Sequence, residues 1–184
     1  VINILLDEPV AFDPQGIASL RLMTASSAPL APERWRQFEE HYGIQVLQFY
    51  GASEGGWLSG NRHNMARIGT AGPPARHMDL AIVDPNGAEC PAGVEGEITM
   101  RGPQTATASI SAEGVWEDRT PFRLTERTRV GDLGIVDDAG FITVTGRIKD
   151  VIIRGGASIA PLEIDAALMS HPDVHEAAVV GVPD

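Results

Sequence analysis

Apolar positions along this chain fall into short runs, and their spacing switches between two periods. Val1–Leu6 and Leu20–Thr24 are brief apolar stretches that predict strands, separated by a polar, turn-rich connection containing Gly16. Across residues 32–43 the period lengthens. Trp35, Phe38 and Tyr42 recur at helical spacing, Pro32 suits a first helical position, Glu33 lies at the favourable end of the helix dipole, and Gly43 supplies a stop. Ile44–Phe49 returns to strand character, with Ile44, Val46 and Gln48 on one side. This strand–helix–strand order predicts an α/β layer.

Alternation dominates the middle of the chain. Met78, Leu80 and Ile82 alternate with Asp79, Ala81 and Val83, the pattern of a half-buried strand. Asp84-Pro85-Asn86-Gly87 carries turn chemistry, Gly96–Arg101 reads as the next strand, and Gly102-Pro103 stops it. Gly134–Val136 and Phe141–Thr145 predict a hairpin around Asp137-Asp138-Ala139-Gly140, with acidic residues first and a glycine last. Further on, Val151–Ile153 and Val174–Val182 read as strands. Between them Pro161–Ser170 reads as a helix with Ile164, Ala167 and Leu168 on one face, ended by His171-Pro172. Trp57–Ile68 has no clear period, and His63, between Arg62 and Asn64, reads as a solvated loop residue.

Composition narrows the classes. The chain has 184 residues, 43% of them apolar, enough for a sizeable core. No run is long enough to span a bilayer, and Val1–Leu6 lacks the basic region and cleavage site of a signal peptide. The chain begins without Met, so a start inside a longer protein is expected. Cys90 is the only cysteine, which excludes an intrachain disulfide and a Cys-rich zinc site and fits a reducing, cytoplasmic setting. A net charge of −11 repels nucleic acid and anionic membranes at long range, so an anionic ligand needs donors and cations concentrated locally.

Two stretches carry candidate chemistry. After the strand Ile44–Phe49, the run Phe49-Tyr50-Gly51-Ala52-Ser53-Glu54-Gly55-Gly56 is a glycine-rich loop at a strand's C-terminal end, a common ligand position in α/β sheets. Tyr50 offers a ring for stacking, Ser53 a hydroxyl for phosphate, and Glu54 a hard carboxylate for magnesium. In the second stretch, Asp132 precedes one strand of the predicted hairpin and Arg147 follows the other. A hairpin brings such end positions together, giving one carboxylate and one guanidinium at a place suited to a ligand with hydroxyl groups. Arg154-Gly155-Gly156 follows an apolar strand and permits close approach of a backbone or a thin ligand. Glu95 and Glu97 share a strand face, but neither has an apolar pocket to raise its pKa, so a solvated face is expected rather than an acid–base pair.

The order Gly131-Asp132, Gly146-Arg147-Ile148-Lys149-Asp150, Gly155-Gly156, preceded by Tyr50-Gly51-Ala52-Ser53-Glu54, resembles the adenylate-forming superfamily. That superfamily holds acyl-CoA synthetases, firefly luciferases and the adenylation domains of peptide synthetases. The resemblance implies the C-terminal part of the large domain of an acyl-CoA synthetase-like fold, α/β plus a β-barrel, followed by the start of a small α+β domain. Residues 1–59 would be the α/β layer with the adenine and magnesium loop, 60–146 a distorted β-barrel, and 147–184 the hinge and truncated small domain. It also implies roles. Tyr50 packs on adenine, with Ser27, Ala28 and Pro29 covering its other face; Gln48, Phe49 and Gly51 flank it. Ser53, where the family has Thr, meets the α-phosphate, and Glu54 coordinates Mg²⁺. Asp132 and Arg147 bind the ribose hydroxyls, Lys149 is the hinge between domains, and Gly155 and Gly156 lie beside the pantetheine tunnel of CoA ligases. Residues Gln104–Arg129 depart most from the pattern, and Val130 lacks the usual hydroxyl before Gly131-Asp132.

The implied activity is an ATP-dependent acid–thiol ligase, with ATP/AMP, Mg²⁺ and CoA bound and a carboxylic acid, fatty or aromatic, as substrate. The family's phosphate-gripping loop and its C-terminal catalytic lysine match nothing in residues 1–184, so the segment by itself is expected to be inactive. Two alternatives stay open: a non-catalytic module that keeps an AMP pocket, and an adenylation domain that loads a carrier protein. Neither nucleic acid nor a membrane span is expected. Exposed strand edges in 150–184 suggest pairing with a second copy.

Overall fold

The chain opens on a short helix, α1 (Ile2–Asp7), where the apolar run Val1–Leu6 predicted a strand. So short an apolar run fits either element, and its neighbours decide. Ile2 is buried against Trp35, Phe38, Ile44 and Val46, the Leu5 carbonyl accepts the Tyr42 hydroxyl at 2.9 Å, and Asp7 pairs with Arg34 at 2.6 Å. The computed structural model describes residues 1–7, 13, 15–118, 126–171, 173–174 and 176–182.

Strand β1 (Leu22–Ala25) leads into helix α2 (Pro32–Tyr42), which starts at Pro32 and ends at Gly43 in the left-handed conformation, as the sequence predicts. Its apolar face buries Trp35 and Phe38 completely or nearly so. Glu39 ties that face to the sheet, because its Oε1 accepts both the Trp35 indole N–H and the Val46 amide at 2.8 Å. Strand β2 (Gln45–Ala52) then pairs parallel to β1, which gives the predicted α/β layer. β2 does not stop at Phe49. It continues through Tyr50 and Gly51 to a turn closed by Gly55 N–H on the Ala52 carbonyl (3.1 Å), and returns as β3 (Gly56–Gly60). The expected glycine-rich loop is thus mostly a hairpin, with a register shift between Tyr50 and Gly51.

The second sheet contains β4 (Asp79–Val83) and β5 (Gly96–Arg101), joined through the turn at Asp84–Gly87. Strands β6 (Ala108–Ile110) and β7 (Trp116–Asp118) make a separate exposed ribbon. β8 (Thr128–Val136) and β9 (Ile142–Arg147) form the predicted hairpin, although β8 begins well before Gly134. The Asp137 side chain shapes its turn, accepting the Ala139 and Phe141 amides at 2.9 and 2.8 Å. Strand order is β4-β5-β8-β9, all antiparallel. Among the described residues this sheet does not close into the expected barrel. Part of the free edge of β9 is taken instead by the connection after β3: Ala71 N–H donates to the Ile142 carbonyl at 2.7 Å, and Ile142 N–H to the Gly72 carbonyl at 3.0 Å. Glu97 on β5 also departs from the expected solvated face. Its side chain is largely covered and pairs with Arg129, whereas Glu95 is exposed.

After β9 come a 3₁₀ turn at Ile148–Asp150, the hairpin of β10 (Ile152–Arg154) and β11 (Ala157–Ile159), and helix α3 (Pro161–Met169). The α3 face of Ile164, Ala167 and Leu168 is exposed. The strand expected over Val174–Val182 is absent among the described residues. Val180 and Val182 are 75% and 78% exposed, and Val179 N–H is satisfied by the Asp165 carboxylate at 2.7 Å rather than by a ladder. An apolar run forms a strand only against a partner edge, and here Gly181 merely lies beside Ile152. The exposed edge expected there for pairing with a second copy is therefore missing. Pro172, expected to end α3, lies outside the described residues.

The two sheets are locked where Gly72 crosses Gly60. A Cβ on Gly72 would sit 2.1 Å from the Gly60 carbonyl carbon and 2.2 Å from the Asn61 nitrogen, with φ at +77°. Gly93 also has positive φ, +78°, but open space around it. Gly93→Ala should therefore cost only the left-handed backbone penalty, about 1–2 kcal/mol. Gly72→Ala should cost roughly 3 kcal/mol or more, because backbone must also move. Urea unfolding midpoints check this, and equal losses would contradict the packing role of Gly72.

Candidate functional site

Tyr50 occupies the junction between the sheets. Its ring packs against both apolar clusters there, the one around Leu58, Met78 and Met100 and the one around Ile82, Ile98 and Ile142. Its hydroxyl emerges beside Asp132 and donates to Oδ2 at 2.7 Å. The ladder of β8 and β9 places Asp132 directly opposite Arg147, whose Nε lies 3.2 Å from Oδ1. One carboxylate thus holds a phenol on one oxygen and a guanidinium on the other. Asp132 is buried, 9% exposed, while Arg147 is exposed. The hairpin ends do meet as the sequence predicts, and Tyr50, 82 positions away, joins them.

The electrostatics follow from this geometry. Burial, and then the Asp132 carboxylate that accepts its proton, push the Tyr50 phenol far above its ordinary 10.0; Glu54 adds to the effect and Arg147 opposes it. Tyr50 therefore stays a donor at any physiological pH.

The loop after β1 carries Ser27, Ala28 and Pro29, all exposed. Ser27 has φ of +76°, a left-handed backbone that costs a non-glycine residue about 1 kcal/mol or more and is common at ligand-binding loops. Gln48, buried on β2, reaches the Ala28 carbonyl with its amide at 3.4 Å, so strand and loop are tied on the Gln48 side. Ser53 and Glu54 form the exposed tip of the β2–β3 turn. The Glu54 carbonyl accepts the Ala106 amide at 2.6 Å, and Glu54 is exposed. Among the described residues no three His, Cys, Asp or Glu side chains cluster as a metal cage. Mg²⁺ is commonly held by one or two carboxylates plus substrate phosphates, and a lone exposed Glu54 fits that arrangement.

Other predicted residues go elsewhere. Phe49 faces away from Tyr50 and stacks on Trp57, with centroids 4.4 Å apart. Gly51 lets the hairpin close, since a Cβ there would lie 2.4 Å from the Gly56 carbonyl oxygen. Lys149 is exposed in the 3₁₀ turn. Gly155 and Gly156 form the β10–β11 turn with φ of +58° and +84°, in open space. His63 is exposed and hydrogen-bonds Gln45 at 2.6 Å.

Sequence reasoning missed Asn61. It is 2% exposed, donates to the Thr70 carbonyl at 2.7 Å, accepts the Arg67 amide at 2.9 Å, and gives its own amide to the Gln48 carbonyl at 3.0 Å. It also missed Gln104, whose side-chain amide clips the Gly55 carbonyl at 2.7 Å and the Trp57 carbonyl. Neither lies in a periodic stretch, and only the stop signal Gly102-Pro103 hinted that the chain turns back near Gln104.

A parallel βαβ layer thus joins an antiparallel sheet that presents the buried Asp132 carboxylate beside the exposed Arg147. Comparison with known proteins gives the family. Residues 1–108 match the AMP-binding enzyme model and 163–184 its C-terminal domain, and the chain belongs to this family. It is 36% identical to the sulfoacetate–CoA ligase of Cupriavidus necator over 100% of this chain and 36% of that protein. It is 32% identical to the oxalate–CoA ligase of Saccharomyces cerevisiae, over 93% and 32%. Among solved structures, ATP-bound MatB from Rhodopseudomonas palustris superposes with a TM-score of 0.84 at 31% identity, covering 97% of this chain and 35% of that one. An anthranilate CoA ligase, AuaEII, with anthranoyl-AMP gives 0.82 at 29%, covering 100% and 35%. The chain therefore spans about a third of the length of the curated relatives it matches. Among the described residues, no helix is long and apolar enough to cross a membrane.

The raised Tyr50 phenol gives a pH prediction. The folded state holds this proton more tightly than the unfolded state, whose tyrosine titrates at 10.0. The contribution is fully present below pH 10.0 and lost as pH rises through the higher folded value. Tyr50→Phe should cost about 1–3 kcal/mol near neutral pH, since it removes a bond to a charged group. It should also flatten the loss of stability above pH 10.0. Denaturant titrations at neutral and alkaline pH test this, and an unchanged alkaline limb in Tyr50→Phe would contradict the assignment.

Proposed function

We propose that this chain is the nucleotide-gripping and hinge part of an ATP-dependent acid–thiol ligase. In that reaction a carboxylate oxygen attacks the α-phosphorus of ATP, the bond to the β-phosphate oxygen breaks, and acyl-AMP and pyrophosphate form. The thiol of CoA then attacks the acyl carbon, giving a thioester and releasing AMP. The single observation that carries the reading is the buried Asp132 carboxylate, held from both sides by Tyr50 and Arg147 at a place suited to ribose hydroxyls.

The remaining roles follow by position. The exposed Ser27–Pro29 loop and the Tyr50 ring bracket a space for adenine. Ser53 offers a hydroxyl to the α-phosphate, and Glu54 would hold Mg²⁺, which supplies charge neutralisation at the phosphates when bound. Lys149, exposed in the turn just after β9, suits a hinge, because that turn joins the large sheet to the β10–β11 hairpin. Gly155-Gly156 would let the pantetheine arm of CoA pass close to backbone. The similarity to CoA ligases favours CoA over a carrier protein as acceptor. The acids in the relatives' names, sulfoacetate and oxalate, both carry a second anionic group. A non-catalytic AMP-binding module would use the same Asp132 contacts but release no pyrophosphate in the presence of any acid.

Losing a charge-assisted hydrogen bond to ribose costs about 1.5–3 kcal/mol, which corresponds to about ten-fold or more in affinity. Asp132→Ala should therefore weaken AMP binding by about ten-fold or more when measured by calorimetry. Equal affinities for wild type and Asp132→Ala would remove the basis of the proposal.

A further inference from the structure

A groove of about 400 Å³ lies beside the β2–β3 hairpin, lined in part by Phe49, Trp57, Asn61, Arg62, Pro74 and Arg76. Phe49 and Tyr50 are consecutive on β2, so the groove lies on the face opposite the Tyr50 hydroxyl. Three independent features mark it. The first is a prearranged aromatic platform. Phe49 lies flat over Gly60, where a Cβ would approach its ring to 2.2 Å, and Trp57 stacks on it with an interplanar angle of 21°. Trp57 is nevertheless 61% exposed, so much of the indole remains open.

The second feature is charge. In a chain of net charge −11, arginines readily find carboxylates, and Arg34, Arg67, Arg101, Arg129 and Arg147 all do. Among the described residues four arginines, Arg21, Arg62, Arg76 and Arg154, have no carboxylate partner, and two of them, Arg62 and Arg76, come together at this groove. The third is that the floor has no other polar demand. Ser59 donates to the Ala71 carbonyl at 3.0 Å, and the Asn61 side chain is bonded at both its oxygen and its nitrogen. A ligand therefore meets an apolar plane and two uncommitted cations.

We infer that this groove selects the acid of the ligase reaction, and that the acid has a flat apolar body and a second anionic group away from the reacting carboxylate. The platform takes the body, and Arg62 and Arg76 take the second anion. Such local cations are what an anionic acid needs to overcome the long-range repulsion of an acidic chain. The inference rests on the ligase reading, and it is tested without nucleotide so that the two can fail separately.

The probes are 4-sulfobenzoate, benzoate and inorganic sulfate, titrated into the 184-residue chain by calorimetry. The expected result is that 4-sulfobenzoate binds about ten-fold or more tightly than benzoate. The preference should vanish in the Arg62→Ala/Arg76→Ala double variant, be partly kept in Arg62→Lys/Arg76→Lys, and both aromatic acids should weaken in Trp57→Ala. These side chains are exposed, and circular dichroism is the check that each variant folds. Equal affinity for benzoate and 4-sulfobenzoate overturns the proposal, as does a preference that survives the double alanine variant. Sulfate binding as tightly as 4-sulfobenzoate overturns it too, marking an adventitious ion only. Nucleotide affinity at Asp132 is measured apart, so its failure would sink the ligase reading and not the groove's selectivity.

Discussion

The Asp132 carboxylate is the constraint on which the site depends. A buried carboxylate is tolerated only when its oxygens are satisfied. Here Tyr50 and Arg147 satisfy one each, and they come from different sheets. The β8–β9 register supplies Arg147, while the β2 strand, carried by the βαβ layer, supplies Tyr50. A one-residue slip in either ladder would turn one partner to the opposite face and leave the charge exposed to an apolar junction. The same interaction therefore reports sheet register, the docking of the two sheets and the geometry offered to a ligand.

That docking rests on backbone proximity as much as on apolar contact. Gly72 crosses Gly60 where no side chain fits, and the strand edge of β9 is covered by residues 71–72. Asn61 then fixes the chain between the sheets by binding Gln48, Thr70 and Arg67. These contacts hold Tyr50 in a setting that keeps its hydroxyl within hydrogen-bond distance of a partner 82 positions away. The C-terminal segment differs. Among the described residues β10 and β11 pair only with each other, and the α3 apolar face is exposed.

Local chemistry made much of this legible in the sequence. The helix at Pro32–Tyr42 has a start, a stop and a clear period; the turns at Asp84–Gly87 and Asp137–Gly140 have acidic first residues whose side chains bond the following amides. Hairpin geometry then brought Asp132 to Arg147. What escaped were features decided by neighbours far away in sequence. Val1–Leu6 became a helix because its Ile2 has a buried niche beside Trp35, a partner the apolar run alone does not reveal. Val174–Val182 lacked a ladder partner and formed no strand among the described residues. Among the described residues the sheet does not close into the expected barrel, and the non-periodic connection after β3 takes part of the β9 edge. Asn61, Gln104 and the Tyr50–Asp132 bond are single polar contacts across long separations, which leave no period to read.

The most direct test of the central claim is a map of amide chemical-shift changes on adding AMP to the isotopically labelled chain. The account predicts that the largest changes cluster at Ala28, Tyr50, Asp132 and Arg147, four residues from separate segments gathered by the fold. Changes confined to the Phe49–Trp57 groove or to the β10–β11 hairpin, with Asp132 and Tyr50 unmoved, would contradict it.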